Sequence, residues 1–146
     1  MIILLYGQPA SGKTTLAKEI KKRFLIIPIL IDGDKWRDVT KNKDYSKEGR
    51  LRNLKGAFDM ALYLEKEGYT PVLSFVTPYE ELRSYLKDNA QKTFFIYLKY
   101  DEDRGRNQNF ANDFEEGSYD LQLDTSKQSI EECINEIKAK YLTIIK

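Results

Sequence analysis

The chain has 146 residues, with 24 Lys and Arg against 23 Asp and Glu for a formal net charge of +1. That length suits one compact domain, residues 1–146, burying roughly two thirds of its surface, and the balanced charge argues against nucleic acid or a membrane surface as partner. The absence of histidine excludes Ser-His-Asp and Cys-His nucleophilic chemistry and histidine-bearing zinc sites, so proton transfer falls to carboxylates.

Ile2 to Tyr6 is a short apolar run stopped by Gly7 and is predicted to be a buried strand of a parallel sheet. Leu16, Ala17, Ile20 and Phe24 then fall at helical spacing, with Lys18, Lys21, Lys22 and Arg23 facing outward and complementing the helix dipole. Ile29 to Ile31 reads as a second strand ending at Asp32-Gly33-Asp34. Leu51, Leu54, Phe58, Ala61 and Leu62 form a helical stripe with Gly68 as its stop. Val72 to Phe75 is the next strand, Glu80 to Leu86 a helix, Thr93 to Leu98 a strand, and Leu121 to Leu123 a last short strand. Ile130, Ile134, Ile137 and Tyr141 line a closing amphipathic helix, on which the single cysteine, Cys133, reads as core. One cysteine excludes an intrachain disulfide and fits a reducing compartment. The longest apolar run, Phe24 to Ile31, is broken by Pro28 and falls far short of the ~18 residues of a membrane span, and Met1 to Tyr6 lacks the features of a signal peptide. A cytoplasmic location is expected.

Strands alternating with helices imply an α/β three-layer sandwich with a mostly parallel central sheet. Ligands in such folds bind beyond the carboxyl ends of the strands. Four segments begin there: Gly7 to Thr15, Asp32 to Arg37, Ser74 to Tyr79, and the polar stretch Asp101 to Gly117.

Gly7-Gln8-Pro9-Ala10-Ser11-Gly12-Lys13-Thr14 matches the P-loop pattern G-x-x-x-x-G-K-[ST], between a predicted strand and a predicted helix. With Gly at about 7% of residues, chance would produce this in a short chain well under ~1% of the time. Gly7, Ser11, Gly12, Lys13, Thr14 and Thr15 are therefore the candidate ATP-phosphate site. Glycines let backbone N–H groups wrap phosphate, Lys13 spans the β- and γ-phosphates, and the Thr14 hydroxyl ligates Mg²⁺. Asp32 and Asp34 follow on the next strand, eighteen residues after Thr14. Two carboxylates there can hold hydrated Mg²⁺ and accept a hydroxyl proton; the competing reading is an Asp-Gly surface turn.

Beyond the phosphate loop, Ile31-Asp32-Gly33-Asp34-x-x-Arg37, Tyr45-Ser46-x-x-x-Arg50-x-x-Asn53 and Ser74-Phe75-Val76-Thr77-Pro78-Tyr79-x-x-x-Arg83 resemble, in order and nearly in spacing, the motifs of the adenylylsulfate (APS) kinase family. Asp113-Phe114-Glu115-Glu116 and Leu123-Asp124-Thr125 resemble its tail. The resemblance implies a kinase of sulfate assimilation that moves the γ-phosphoryl group of MgATP to the 3′-hydroxyl of adenylylsulfate, giving PAPS and ADP. It implies that Arg37, Arg50 and Asn53 bind the acceptor's phosphosulfate and ribose, and that Val76, Thr77 and Pro78 border its base. Tyr45 and Phe110 would stack on the adenine, although an aromatic at either place also suits a core or loop anchor. Arg fits sulfate or phosphate oxygens with its planar fork, and Asn pairs a donor with an acceptor. Arg52 reads as surface.

Two departures stand out. Thr77 replaces the family's serine, keeping a hydroxyl. The lid, about residues 101–117, is much shorter than in a typical member and lacks the Lys-Gly-Leu-Tyr-Lys segment, leaving Arg104 or Arg106 to close over the γ-phosphate. The shortened lid keeps open a kinase of the same fold acting on another nucleotide-linked or small hydroxyl or amidate acceptor; a nucleotide-binding module that no longer turns over is a rival of another class, which a missing catalytic carboxylate would support, but Asp32 and Asp34 are both present. A homodimer is compatible with the sequence, which does not specify oligomeric state.

Overall fold

The computed structural model describes residues 1–100, 111 and 113–146. Its strands are β1 (Ile2–Tyr6), β2 (Pro28–Asp32), β3 (Thr70–Phe75), β4 (Thr93–Lys99) and β5 (Leu121–Asp124). Its helices are α1 (Lys13–Arg23), α2 (Gly33–Thr40), α3 (Lys47–Lys66), α4 (Glu80–Asn89) and α5 (Ile130–Ile144). The sheet order is β2-β3-β1-β4-β5 and each pairing is parallel. β1 runs through the middle, which is why its five residues are all apolar and fully buried.

Alternate residues of the strands serve two cores. Ile2, Leu4 and Tyr6 face Leu54, Ala57, Phe58 and Ala61 of α3 and Leu82 and Leu86 of α4. Ile3 and Leu5 face Leu16, Ala17 and Ile20 of α1 and Cys133, Ile134 and Ile137 of α5. Burying a side chain the size of Leu5 or Phe58 stabilises by about 1.5–3 kcal/mol, so the apolar stripes read from the sequence are what holds the layers together. Cys133 is buried, in agreement with its reading as core. Among the described residues no helix is long and apolar enough to cross a membrane.

Register decides where the site lies. Tyr6 pairs with Phe75 and with Tyr97, and Asp32 pairs with Ser74, so the chain segments leaving β1, β2 and β3 emerge side by side at one sheet edge. The helices α2, α3 and α5 begin with side-chain caps from Asp32, Ser46 and Ser129. Helix α1 does not. Its N-cap is Gly12 at φ 93°, with no capping side chain, so its first-turn N–H donors are left to an anion.

Segment 33–40 differs from the turn considered for Asp-Gly. It is helix α2, in which no residue is buried, held by the Asp32 cap and by the close approach of Gly33 to the sheet. A Cβ on Gly33 would come within 3.1 Å of the Ser74 carbonyl oxygen, so glycine lets the helix start directly at the strand end.

Candidate active site

The loop from Gly7 to Gly12 follows β1. A Cβ on Gly7 would collide with the Leu98 carbonyl, which makes glycine obligatory there. Ser11 is fully buried beneath the loop and Lys13 is 9% exposed. The Lys13 ammonium donates to the Gln8 carbonyl at 2.8 Å and lies 3.3 Å from Ser11 Oγ. From the far side, Thr125 Oγ1 donates to the Ser11 carbonyl at 2.7 Å.

Thr14 and Asp32 meet in front of the loop. Thr14 Oγ1 donates to Asp32 Oδ1 at 2.6 Å and lies 3.1 Å from Ser74 Oγ. Asp32 Oδ2 accepts from the Lys35 amide at 3.2 Å, capping α2, and Asp34 occupies the first turn of that helix. Hydroxyl and carboxylate oxygens are hard donors of the kind Mg²⁺ takes, usually through one or two carboxylates plus phosphate and water. Thr14, Asp32 and Asp34 therefore fit a hydrated magnesium ion. Ser74 is a member of this cluster that sequence reading left without a role; its place opposite Asp32 follows from strand pairing.

The second half of the cavity is cationic and aromatic. Arg37 Nη1 donates to Asn42 O at 3.0 Å, Asn42 Oδ1 at 2.9 Å and Asp44 O at 3.3 Å, organising the loop that carries Tyr45. The guanidinium of Arg37 stacks 4.1 Å from the centre of the Tyr45 ring and that of Arg50 lies 5.8 Å away. Arg50 is 8% exposed, and its Nε donates to the Tyr45 carbonyl at 3.0 Å. Burial pulls the Arg37 guanidinium below its ordinary value, and the Arg50 charge adds to that shift. Such a pair of crowded cations suits an anionic ligand. Asn53 is 6% exposed, and its Oδ1 is buried without a hydrogen-bond partner among the described residues. Arg52 instead lies on the surface in an ion pair with Asp44.

The far wall follows β3. Thr77 adopts φ 45°, uncommon for a β-branched residue. Its carbonyl accepts from Arg83 Nη1 at 2.6 Å and its hydroxyl donates to Phe75 O at 3.3 Å. Arg83, quoted above only as part of a motif, is 1% exposed. Its Nη2 donates to the Glu115 and Glu116 carbonyls, and its guanidinium lies 4.5 Å from the Tyr6 ring centre. No sequence pattern distinguishes this buried cation from an exposed helical arginine.

These groups share one cavity of about 260 Å³. Of the candidate residues, Gly12, Lys13, Thr14, Thr15, Asp32, Asp34, Arg37, Tyr45, Arg50, Asn53, Val76, Thr77 and Pro78 all line it. Gly7 and Ser11 belong to the loop but do not line the cavity. Arg104, Arg106 and Phe110 lie outside the described residues. The described end of the expected lid, residues 113–117, is fastened to the far wall: the Glu115 amide donates to the Pro78 carbonyl at 2.7 Å and Tyr6 Oη donates to the Glu116 carbonyl at 2.8 Å.

Known proteins resemble this chain in sequence and in fold. The chain is 34% identical over 104 residues to a protein of Aeropyrum pernix described as a probable adenylyl-sulfate kinase, covering 68% of this chain and 56% of that protein. The chain thus spans little more than half the length of that relative. An adenylyl-sulfate kinase of Phocaeicola vulgatus is 29% identical, with 99% of this chain and 83% of that protein covered. The fold is shared with the Mycobacterium tuberculosis APS kinase solved with AMPPNP and APS, at a TM-score of 0.80 and 17% identity over 96% of each chain. Residues 1–110, three quarters of the sequence and every described residue that lines the cavity, match the model of the adenylylsulphate kinase family, and the chain belongs to that family.

Proposed function

We propose that the chain transfers the γ-phosphoryl group of MgATP to the 3′-hydroxyl of adenylylsulfate, yielding PAPS and ADP. One observation carries this reading: a single cavity is lined by the phosphate loop, by Asp32 and Asp34, and by the Arg37, Tyr45, Arg50 and Asn53 cluster. Phosphoryl transfer needs donor and acceptor oxygens in line and the spreading negative charge matched by fixed cations and N–H groups.

In this reading the first-turn amides of α1 and the Lys13 ammonium hold the β- and γ-phosphates. Thr14 and Asp32, with Asp34 nearby, would hold Mg²⁺, which when bound neutralises charge on the phosphate oxygens. A carboxylate of the Asp32 and Asp34 pair takes the hydroxyl proton, the only side-chain base chemistry available near neutral pH to a chain without histidine. Arg37 and Arg50 offset the acceptor's phosphosulfate charge, the Asn53 amide meets a ribose hydroxyl, and the Tyr45 ring flanks the base, with Val76, Thr77 and Pro78 as its far border. Arg104, Arg106 and Phe110 complete the proposal from the lid.

The test follows ADP release from MgATP with adenylylsulfate beside a panel of other hydroxyl acceptors, including nucleotides without sulfate, sugar alcohols and an adenylyl amidate. Turnover with adenylylsulfate that exceeds the others by tenfold or more in kcat/KM is the expected result. Preference for a different acceptor, or nucleotide binding with no turnover on any, overturns the reading.

A further inference from the structure

Gln8, the second residue of the phosphate loop, makes contacts that none of the roles above requires. Its Nε2 donates to the Ala111 carbonyl at 2.8 Å, and its Oε1 accepts from the Ala111 amide at 3.0 Å. The reciprocal pair is satisfied in only one orientation of the side-chain amide. Gln8 thereby engages Ala111 much as a neighbouring strand would, and Ala111 is 3% exposed. The backbone of Gln8 meanwhile holds Lys13 through its carbonyl.

Ala111 stands two residues before Asp113, where the chain begins to seat on the acceptor wall. There Phe114 stacks on Tyr6 with ring centres 6.2 Å apart, and the Glu115 amide holds the Pro78 carbonyl. Arg83 grips the Glu115 and Glu116 carbonyls and the strained Thr77 together. The described residues of this strap, Ala111 and 113–116, are thus attached to the donor loop at Ala111 and to the acceptor wall at Glu115 and Glu116.

We infer that Gln8 is a positioning residue. Its side chain fixes the phosphate loop against this strap and so sets the distance between the donor phosphate and the wall that borders the acceptor. The inference rests on the kinase reading above. It does not concern ligand affinity, because the loop's N–H donors and Lys13 are intact whether or not the amide pair forms. Loosening the pair should therefore lower kcat, where alignment matters, and leave MgATP affinity in place.

The experiment uses the full chain with Gln8→Ala and Gln8→Glu. Three measurements are made: the exchange rate of the Ala111 amide by NMR, MgATP affinity by calorimetry, and turnover both with adenylylsulfate and as ATP hydrolysis by water. In Gln8→Ala the Ala111 amide should exchange about tenfold faster and kcat should fall about tenfold, the scale of losing two neutral hydrogen bonds, with the MgATP Kd within twofold. Gln8→Glu retains an acceptor for the Ala111 amide but sets a carboxylate against its carbonyl, so protection and kcat should be intermediate. Unchanged exchange in Gln8→Ala means the pair does not form; faster exchange with unchanged kcat, or a lowered Tm with normal kcat for the folded protein, means it does not position. Each overturns the inference. A wild type that hydrolyses ATP but does not phosphorylate adenylylsulfate refutes the acceptor and leaves Gln8 to be judged on hydrolysis; one with neither activity overturns both.

Discussion

Asp32→Asn separates the folding role of this residue from its chemistry. The carboxylate accepts from Thr14 Oγ1 at 2.6 Å through one oxygen and from the Lys35 amide at 3.2 Å through the other. Asparagine caps helices about as well as aspartate, so its single oxygen stays on Lys35 and its amide nitrogen turns to Thr14. Thr14 then accepts from that nitrogen and redirects its proton towards Ser74 Oγ, 3.1 Å away. What is lost for folding is the charge-assisted part of one hydrogen bond and the negative charge at the start of α2, together about 1–2 kcal/mol. For a chain of this size that lowers Tm by about 3–6 °C. Catalysis should suffer far more: an amide takes no proton and holds Mg²⁺ poorly, so kcat should fall about 10²–10⁴-fold. Steady-state kinetics at saturating MgATP and adenylylsulfate, beside calorimetric unfolding, gives both numbers. A variant with kcat within threefold of wild type and the small Tm loss would remove Asp32 from the chemical step and leave it a helix cap.

Two further outcomes are expected. Arg50→Ala should weaken adenylylsulfate about 10–100-fold, the range of a charge-assisted hydrogen bond, and change the MgATP Kd less than twofold; equal weakening of both ligands by calorimetry would take Arg50 out of the acceptor half. At alkaline pH, burial pushes the Tyr6 and Tyr79 hydroxyls up from 10.0 to about 12 and that of Tyr97 higher still. The unfolded chain releases these protons near pH 10 while the folded one keeps them, so their stabilising contribution is whole below pH 10 and shrinks as pH rises towards 12. Far-ultraviolet circular dichroism should report unfolding that begins above pH 10 together with the late tyrosinate absorbance; tyrosinate formation of all ten tyrosines at pH 10 in a still-folded chain would contradict the burial.

The elements read correctly from the sequence are those whose apolar residues repeat against a partner. β1, β3 and β4 are buried on both faces and show as short, mainly apolar runs, that of β3 interrupted by Ser74, and α3 shows Leu54, Ala57, Phe58 and Ala61 at helical spacing. Helix α2 buries nothing and leaves Val39 78% exposed, so it has no stripe to read; it forms because a strand-end aspartate caps it and a glycine fits under it. The site divides in the same way. Gly12, Lys13 and Thr14 are legible because phosphate chemistry demands those residue types at fixed spacing, whereas Ser74 joins Thr14 only through the pairing of β2 with β3. Gln8 and Arg83 act on backbone carbonyls at Ala111, Thr77, Glu115 and Glu116, and any residue can supply a carbonyl.

Among the described residues, two of the three that hold a positive φ despite a Cβ line the site, and the third, Lys41, ends helix α2. Ala10 in the phosphate loop and Thr77 in the acceptor wall hold φ of 66° and 45°, conformations that cost about 1–2 kcal/mol each for residues with a Cβ. Neither is a glycine that could adopt them freely, so the surrounding contacts must offset the strain. For Thr77 the means are visible: Arg83 on its carbonyl, Phe75 on its hydroxyl and Glu115 on the next carbonyl. The buried arginine is best understood from that requirement. Lysine could hold one of those carbonyls but lacks the planar fork that reaches Thr77 and the strap at once, and an apolar residue of similar size would take the arginine donor from the Thr77 and Glu115 carbonyls, leaving only the Glu116 carbonyl with its Tyr6 hydroxyl. The wall bordering the acceptor thus keeps a strained shape because a cation behind it, remote from solvent, is committed to the backbone.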